Sequence, residues 1–94
     1  MVLTEQELNL SNAVTVSQAG LRAIEAGSRE IDLSSLQNVD SSAVAVMLSW
    51  QRHAQAQQRA LSFTGVPASL QSLIALYGLQ DFFHMVPISS AERH

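Results

Sequence analysis

Along this chain polar and apolar positions alternate in short stretches and recur at helical spacing in longer ones. Glu7-Leu8-Asn9-Leu10 alternates, which predicts a half-buried strand, with Val2–Thr4 ahead of it as an edge strand. Ser11-Asn12 marks a turn, and Thr15 or Ser17 can cap a helix running to about Ala26. In that helix Val16, Gly20, Ala23, Ile24 and Gly27 share a face with Leu21 beside them, and Gly27 is the stop residue. Arg29–Leu33 alternates again and places Ile31 and Leu33 on one side. Ser34–Asn38 reads as a loop, from which Leu36 and Val39 plug the core. A second helix spans about Ser41 to Gln57 or Gln58, and a strand at Arg59–Thr64 follows with Leu61 and Phe63 inward. Gly65 turns the chain, and Pro67 suits the first position of a third helix with an apolar stripe of Leu70, Leu73, Ile74 and Tyr77. Gly78 ends it, with Leu79 packing back as in a Schellman cap. Phe82–Val86 is apolar enough for a last short strand or turn, and Pro87–His94 reads as a loose tail.

The order is β-α-β-α-β-α-β. It predicts an α/β fold with a small, mostly parallel or mixed sheet of about four to five strands and about three to four helices, joined by right-handed crossovers. A length of 94 residues suits one domain with a thin core. The domain takes residues 1–88, and 89–94 form the tail.

Composition narrows the function. Only 14% of residues are charged against 47% hydrophobic, so part of the surface either meets a partner or is simply rich in Ala, Gln and Ser. Net charge is −3 and lysine is absent, which argues against nucleic acid and against electrostatic adhesion to anionic lipid. Without cysteine there is neither a disulfide framework nor a thiolate metal site. The first residues lack a signal-peptide pattern, and no apolar run approaches the ~18 residues of a membrane span. The expectation is a cytoplasmic protein without direct membrane insertion.

Catalysis would need convergent groups. His53, His84 and His94 pair with no carboxylate at helical spacing, and His84 lies in an apolar segment where a packed histidine is expected. The pairs Ser34-Ser35 and Ser41-Ser42 lack a Gly-x-Ser-x-Gly elbow, and no phosphate-binding loop is present. No enzyme, metal or cofactor is expected. Trp50 reads as core with its indole N–H near the rim. Phe82-Phe83 should send one ring inward and leave the other as a patch, a candidate second contact or homodimer surface.

The informative stretch is Val39-Asp40-Ser41-Ser42-Ala43 and the helix it opens. At ~100° per residue, Ala43, Val46, Met47, Trp50 and Ala54 face the sheet, with Val44 and Leu48 at the flank. The opposite side carries Ser41, Ala45, Ser49, Arg52 and Ala56, with Ser42 and His53 toward one edge, and Ser41, Ala45, Leu48 and Arg52 follow one another at i, i+4, i+7 and i+11 as a solvent face. This outward face is flat, and small residues let a partner approach closely. Asp40 is a good N-cap. A phosphate on Ser41 would be supported by the helix end and opposed by Asp40. Local chemistry alone favours a plain cap over a modification site.

Strand, loop and Val39-Asp40-Ser41-Ser42-Ala43 resemble the STAS domain of anti-sigma factor antagonists, which have Asp-Ser-(Ser/Thr)-Gly with the first serine phosphorylated by a partner kinase. Ser41 matches that serine, whereas Ala43 departs from the glycine. The chain is also similar, over nearly its whole length, to the STAS subunit of Mla phospholipid ABC transporters. That resemblance rests on Leu8-x-Leu10-Ser11, Val39-Asp40-Ser41, Trp50-x-Arg52, Ala60-Leu-x-Phe63, Pro67-Ala-x-Leu70 and Leu76-Tyr77-Gly78-Leu79, and on little room for a long leading hairpin. It implies a STAS-like fold and an accessory subunit that binds the transporter's ATPase, lies at the inner membrane through that partner and supports outer-membrane lipid asymmetry. Ser41 would lie at the contact, with Asp40, Ser42, Ala45, Leu48, Ser49 and Arg52 around it. The alternative it leaves open is an antagonist phosphorylated on Ser41 by an anti-sigma factor kinase. A small-ligand-binding STAS domain is a third, weaker reading.

Overall fold

A computed structural model of the chain describes residues 1–86, so the expected tail at Pro87–His94 lies outside the described residues. The elements are β1 (Glu7–Leu8), α1 (Ala13–Glu25), β2 (Glu30–Asp32), β3 (Asn38–Val39), α2 (Ser41–Ala56), β4 (Ser62–Thr64), α3 (Ala68–Leu76) and β5 (His84–Val86). The α/β order holds, with β3 added. Asn38, expected in a loop, pairs instead with Glu7, and Val39 pairs with Leu8. The β-structure falls into two sheets, β1-β3 and β2-β4-β5, and every described pairing is parallel. Central β4 aligns Phe63 with Ile31 on one side and with Met85 on the other. Residues Met1–Leu3 run beside β2 through a bridge from Val2 to Asp32, so the expected edge strand is reduced to one bridge.

The core follows the alternation. Ile31 and Phe63 are buried from β2 and β4, Leu33 and Leu61 from the residues adjoining them, and Leu36 fills the gap from its loop. The first strand is shorter than its pattern: Leu8 is buried, but Leu10 is 80% exposed. The backbone has already turned at Asn9, whose side-chain Oδ1 accepts from the Ser11 N–H and hydroxyl. That turn also starts α1 earlier than Thr15 or Ser17, at Ala13 after the cap residue Asn12. Val16, Gly20 and Ile24 bury its inner face. Pro67 sits one position outside α3, as its cap, because its extended ψ of 156° keeps it out of the helix. Leu70 and Ile74 are buried, whereas Tyr77 is 53% exposed and does not extend the stripe. Of the two adjacent rings, Phe83 is buried and Phe82 is partly exposed, as the sequence suggests.

Each helix ends in the same hydrogen-bonded motif. In α1 the Ser28 N–H donates to the Ala23 carbonyl and the Gly27 N–H to that of Ile24. In α3 Leu79 donates to Ile74 and Gly78 to Ala75. Both patterns are Schellman caps with glycine at positive φ, as the glycine positions anticipate. In α2 Arg59 donates to Ala54 and Gln58 to Gln55, but the left-handed position is filled by Gln58 at φ 58°.

Trp50 binds these layers together. Its side chain is fully buried, its indole N–H donates to the Ser17 carbonyl of α1 at 2.9 Å, and its ring stacks on Phe63 of β4 at 6.4 Å between centroids. The polar edge of the indole is thus satisfied within the α1–α2 contact, by the carbonyl of Ser17, a residue that is itself half-buried. Gly20 makes room for it: a Cβ there would lie 2.5 Å from Trp50 Cζ2 and closer still to Cε2 and Nε1.

Two stability measurements follow, each by urea unfolding followed through the fluorescence of the single tryptophan. Gly20→Ala forces the indole to move and should destabilise by about 2 kcal/mol despite alanine's better helix propensity, since overpacking costs roughly 1–3 kcal/mol. Gln58→Gly relieves a left-handed side-chain-bearing residue and should stabilise by about 0.5–1 kcal/mol.

Candidate functional site

The helix α2 is the middle one, packed on α1 along one flank and on α3 along the other. Its buried residues are Ala43, Val44, Val46, Met47, Trp50, Gln51 and Ala54, close to the side that the helical wheel assigns to the core. The outward side then presents Ser41, Ala45 and Arg52 exposed, with Ser42, Leu48 and Ser49 half-buried. The residues expected to form one face therefore do share it.

Asp40 caps this helix. Its Oδ1 accepts from the backbone N–H of Ser42 at 2.9 Å, and the Ser42 hydroxyl donates to the same oxygen. The Ser42 hydroxyl bond first, then the backbone bond, hold the Asp40 carboxyl below its usual range. A lowered pKa favours the folded state above the ordinary carboxylate range, and that contribution is lost as pH falls through the lowered value. Ser41, one residue on, is exposed, and among the described residues its hydroxyl makes no hydrogen bond. Ala43 is fully buried, so its methyl packs into the core and adds nothing to the outer face.

Three open grooves meet at Ala45. One of about 360 Å³ lies toward the start of α1, where Val14, Ser17 and Gln18 face Ser42 and Ser49. One of about 540 Å³ follows the same two helices further along, between Leu21, Leu48, Arg52 and His53. The third, of about 450 Å³, separates α2 from the end of α3 and is walled by Ser41, Val44, Leu48, Tyr77 and Leu79. Val14 is 70% exposed and Tyr77 53% exposed, so apolar side chains flank the α2 face on both sides.

These walls are absent from the sequence-derived site. On α1 the spacing of Val14, Gln18 and Leu21 is i, i+4, i+7, a second stripe that only the packing against α2 identifies as a groove wall. One histidine expectation is extended and another corrected. His53 does have a carboxylate partner, Glu25 of α1, whose Oε2 lies 2.7 Å from His53 Nε2 and accepts from Gln57 Nε2 at 2.8 Å. The pair is tertiary, so helical spacing within α2 could not reveal it. His84 is exposed on β5 and not packed, because its neighbours Phe83 and Met85 take the inward positions. Among the described residues no group of three His, Asp or Glu side chains converges as a metal site, and no helix is long and apolar enough to cross a membrane.

The same arrangement of elements occurs in a candidate anti-sigma factor antagonist from Thermotoga maritima. Its crystal structure superposes with a TM-score of 0.76 at 18% identity, over 96% of this chain and 81% of that one. At that identity the likeness concerns the fold. No curated protein matches the sequence. The family model described as "Mlab, STAS domain" matches residues 4–87, from the lead-in to the end of β5. The chain therefore belongs to the MlaB-like STAS domain family.

Proposed function

We propose that this STAS domain is a non-catalytic accessory subunit of an Mla-type phospholipid ABC transporter, and that it docks on the transporter's ATPase through the outward face of α2. The observation that carries the reading is the meeting of three grooves at Ala45, on a face whose only charge beyond the cap is Arg52. Ser41, Ala45 and Ser49 let a partner's backbone approach, Leu48 offers apolar area to bury, and Asp40 with Ser42 holds the helix start in place. The subunit is held at the inner membrane by its partner, and its role in lipid asymmetry is to support that ATPase.

A second reading has its own support. The exposed Ser41 sits in the first turn of α2, where the helix end favours a phosphate, and its hydroxyl is not engaged by the cap as that of Ser42 is. A kinase-regulated anti-sigma factor antagonist would use that hydroxyl. Against it stand the neighbouring Asp40 charge and Ala43 in place of glycine.

Co-purification with the Mla-type ATPase of the same cell tests the first reading. The unmodified chain should form the complex, and Ser41→Asp combined with Leu48→Arg should weaken it roughly 30-fold or more, the scale of losing a central contact. An intact complex with the double variant removes α2 as the interface. Phosphate on Ser41 in protein taken from cells, seen by mass spectrometry, would support the antagonist instead.

A further inference from the structure

The α1–α2 groove is basic at one end, although the protein as a whole has a net charge of −3. Its walls are Leu21, Ala45 and Leu48, and it runs toward Arg52 and His53. Arg52 is exposed, and so is Arg22, which follows Leu21 of this groove in the chain and lies one turn beyond Gln18 of the adjoining one. Neither arginine is ion-paired among the described residues. Glu25 lies at this end too, held by His53 and Gln57, and its single negative charge offsets only one of the two arginines. Asp40 is bound up with Ser42 at the other end of α2, twelve residues and so about 18 Å from Arg52, beyond the Debye length of about 8 Å. The remaining described carboxylates, Glu5, Glu7, Glu30, Asp32 and Asp81, belong to strands and loops, and α3 carries no charged residue.

We propose that the segment of the partner protein received by this groove is acidic: it lays apolar side chains over Ala45 and Leu48 and brings a carboxylate to Arg52, with a second within reach of Arg22. This rests on the reading that the α2 face docks an ATPase, and it names the chemistry of the ATPase segment in contact. Charge complementarity selects this occupant over two others. A lipid surface is recognised by roughly 4–8 clustered cations, against two here on a net-negative protein. A second copy joined face to face by a two-fold axis would set the same basic rim against itself.

The test is a titration of the full chain against the purified ATPase from about 0.05 to about 0.5 M NaCl. Affinity of the unmodified chain should fall as salt rises. Arg52→Glu and Arg22→Glu, both at exposed positions, should each weaken binding about tenfold and flatten the salt dependence, while Arg52→Lys keeps most of the affinity. Salt-independent binding by the unmodified chain overturns the proposal without recourse to any variant. If both charge reversals bind as tightly as the unmodified chain while Leu48→Arg is lost, the acidic segment is refuted and the docking reading stands. If the unmodified chain does not bind the ATPase, both fall. Sedimentation of the unmodified chain with phosphatidylglycerol–phosphatidylcholine vesicles at about 0.15 M salt, abolished by Arg52→Glu, would make the groove a lipid site and overturn the acidic protein segment.

Discussion

The indole of Trp50 is held at once by a backbone carbonyl of α1, by the missing side chain of Gly20 and by the ring of Phe63 on the central strand. A large apolar side chain with one polar atom can be buried at low cost only when that atom finds a partner. Ser17 supplies it from a neighbouring helix and not from water, so the angle at which α1 meets α2 is tied to the seating of one ring. From Trp50 the aromatic contacts continue through Phe63 to Phe83 at 5.6 Å and from Phe83 to Phe82 at 5.4 Å, linking the helix layer to the far side of β4.

The candidate site is a consequence of that wedge. With Trp50 and its neighbours turned inward, the opposite side of α2 must face outward. The close approach of α1 at Gly20 leaves shallow grooves beside the small residues Ala45 and Ser49, where a larger side chain would have filled the space. At the far end, Arg59 Nη1 donates to the Ile24 carbonyl, and the Glu25–His53–Gln57 cluster bridges the last turns of α1 and α2. The two helices are thus pinned at the end where the groove is basic. A rigid groove suits docking, since little ordering entropy is lost when a partner arrives.

Several features were legible because they are local. Alternation located the buried residues of the strands, glycine positions marked the stops of α1 and α3, and Asp40 announced its cap through side-chain chemistry. The α2 wheel assigned Ser41, Ala45, Leu48, Ser49 and Arg52 to one side without any knowledge of what lay next to it. The misses are equally physical. Leu10 has the right parity for a strand, but the Asn9 and Ser11 side chains turn the backbone before it can pair. Asn38 has little strand propensity and is drafted into β3 only because β1 lies alongside. Tyr77 keeps helical spacing but sits where α3 has run past the core.

What the sequence by itself determined was the alternation of α and β elements, the side of α2 that is buried, and the Asp40 cap, since each depends on residues within a turn or two of one another. Only the tertiary structure decided that β1 and β3 form a sheet apart from β2-β4-β5, that His53 meets Glu25, and that Val14, Leu21 and Tyr77 become groove walls. Those depend on how α1 and α3 are seated against α2. For α1 that seating is set by Trp50 entering the space left at Gly20, a contact between residues thirty positions apart that no local pattern encodes.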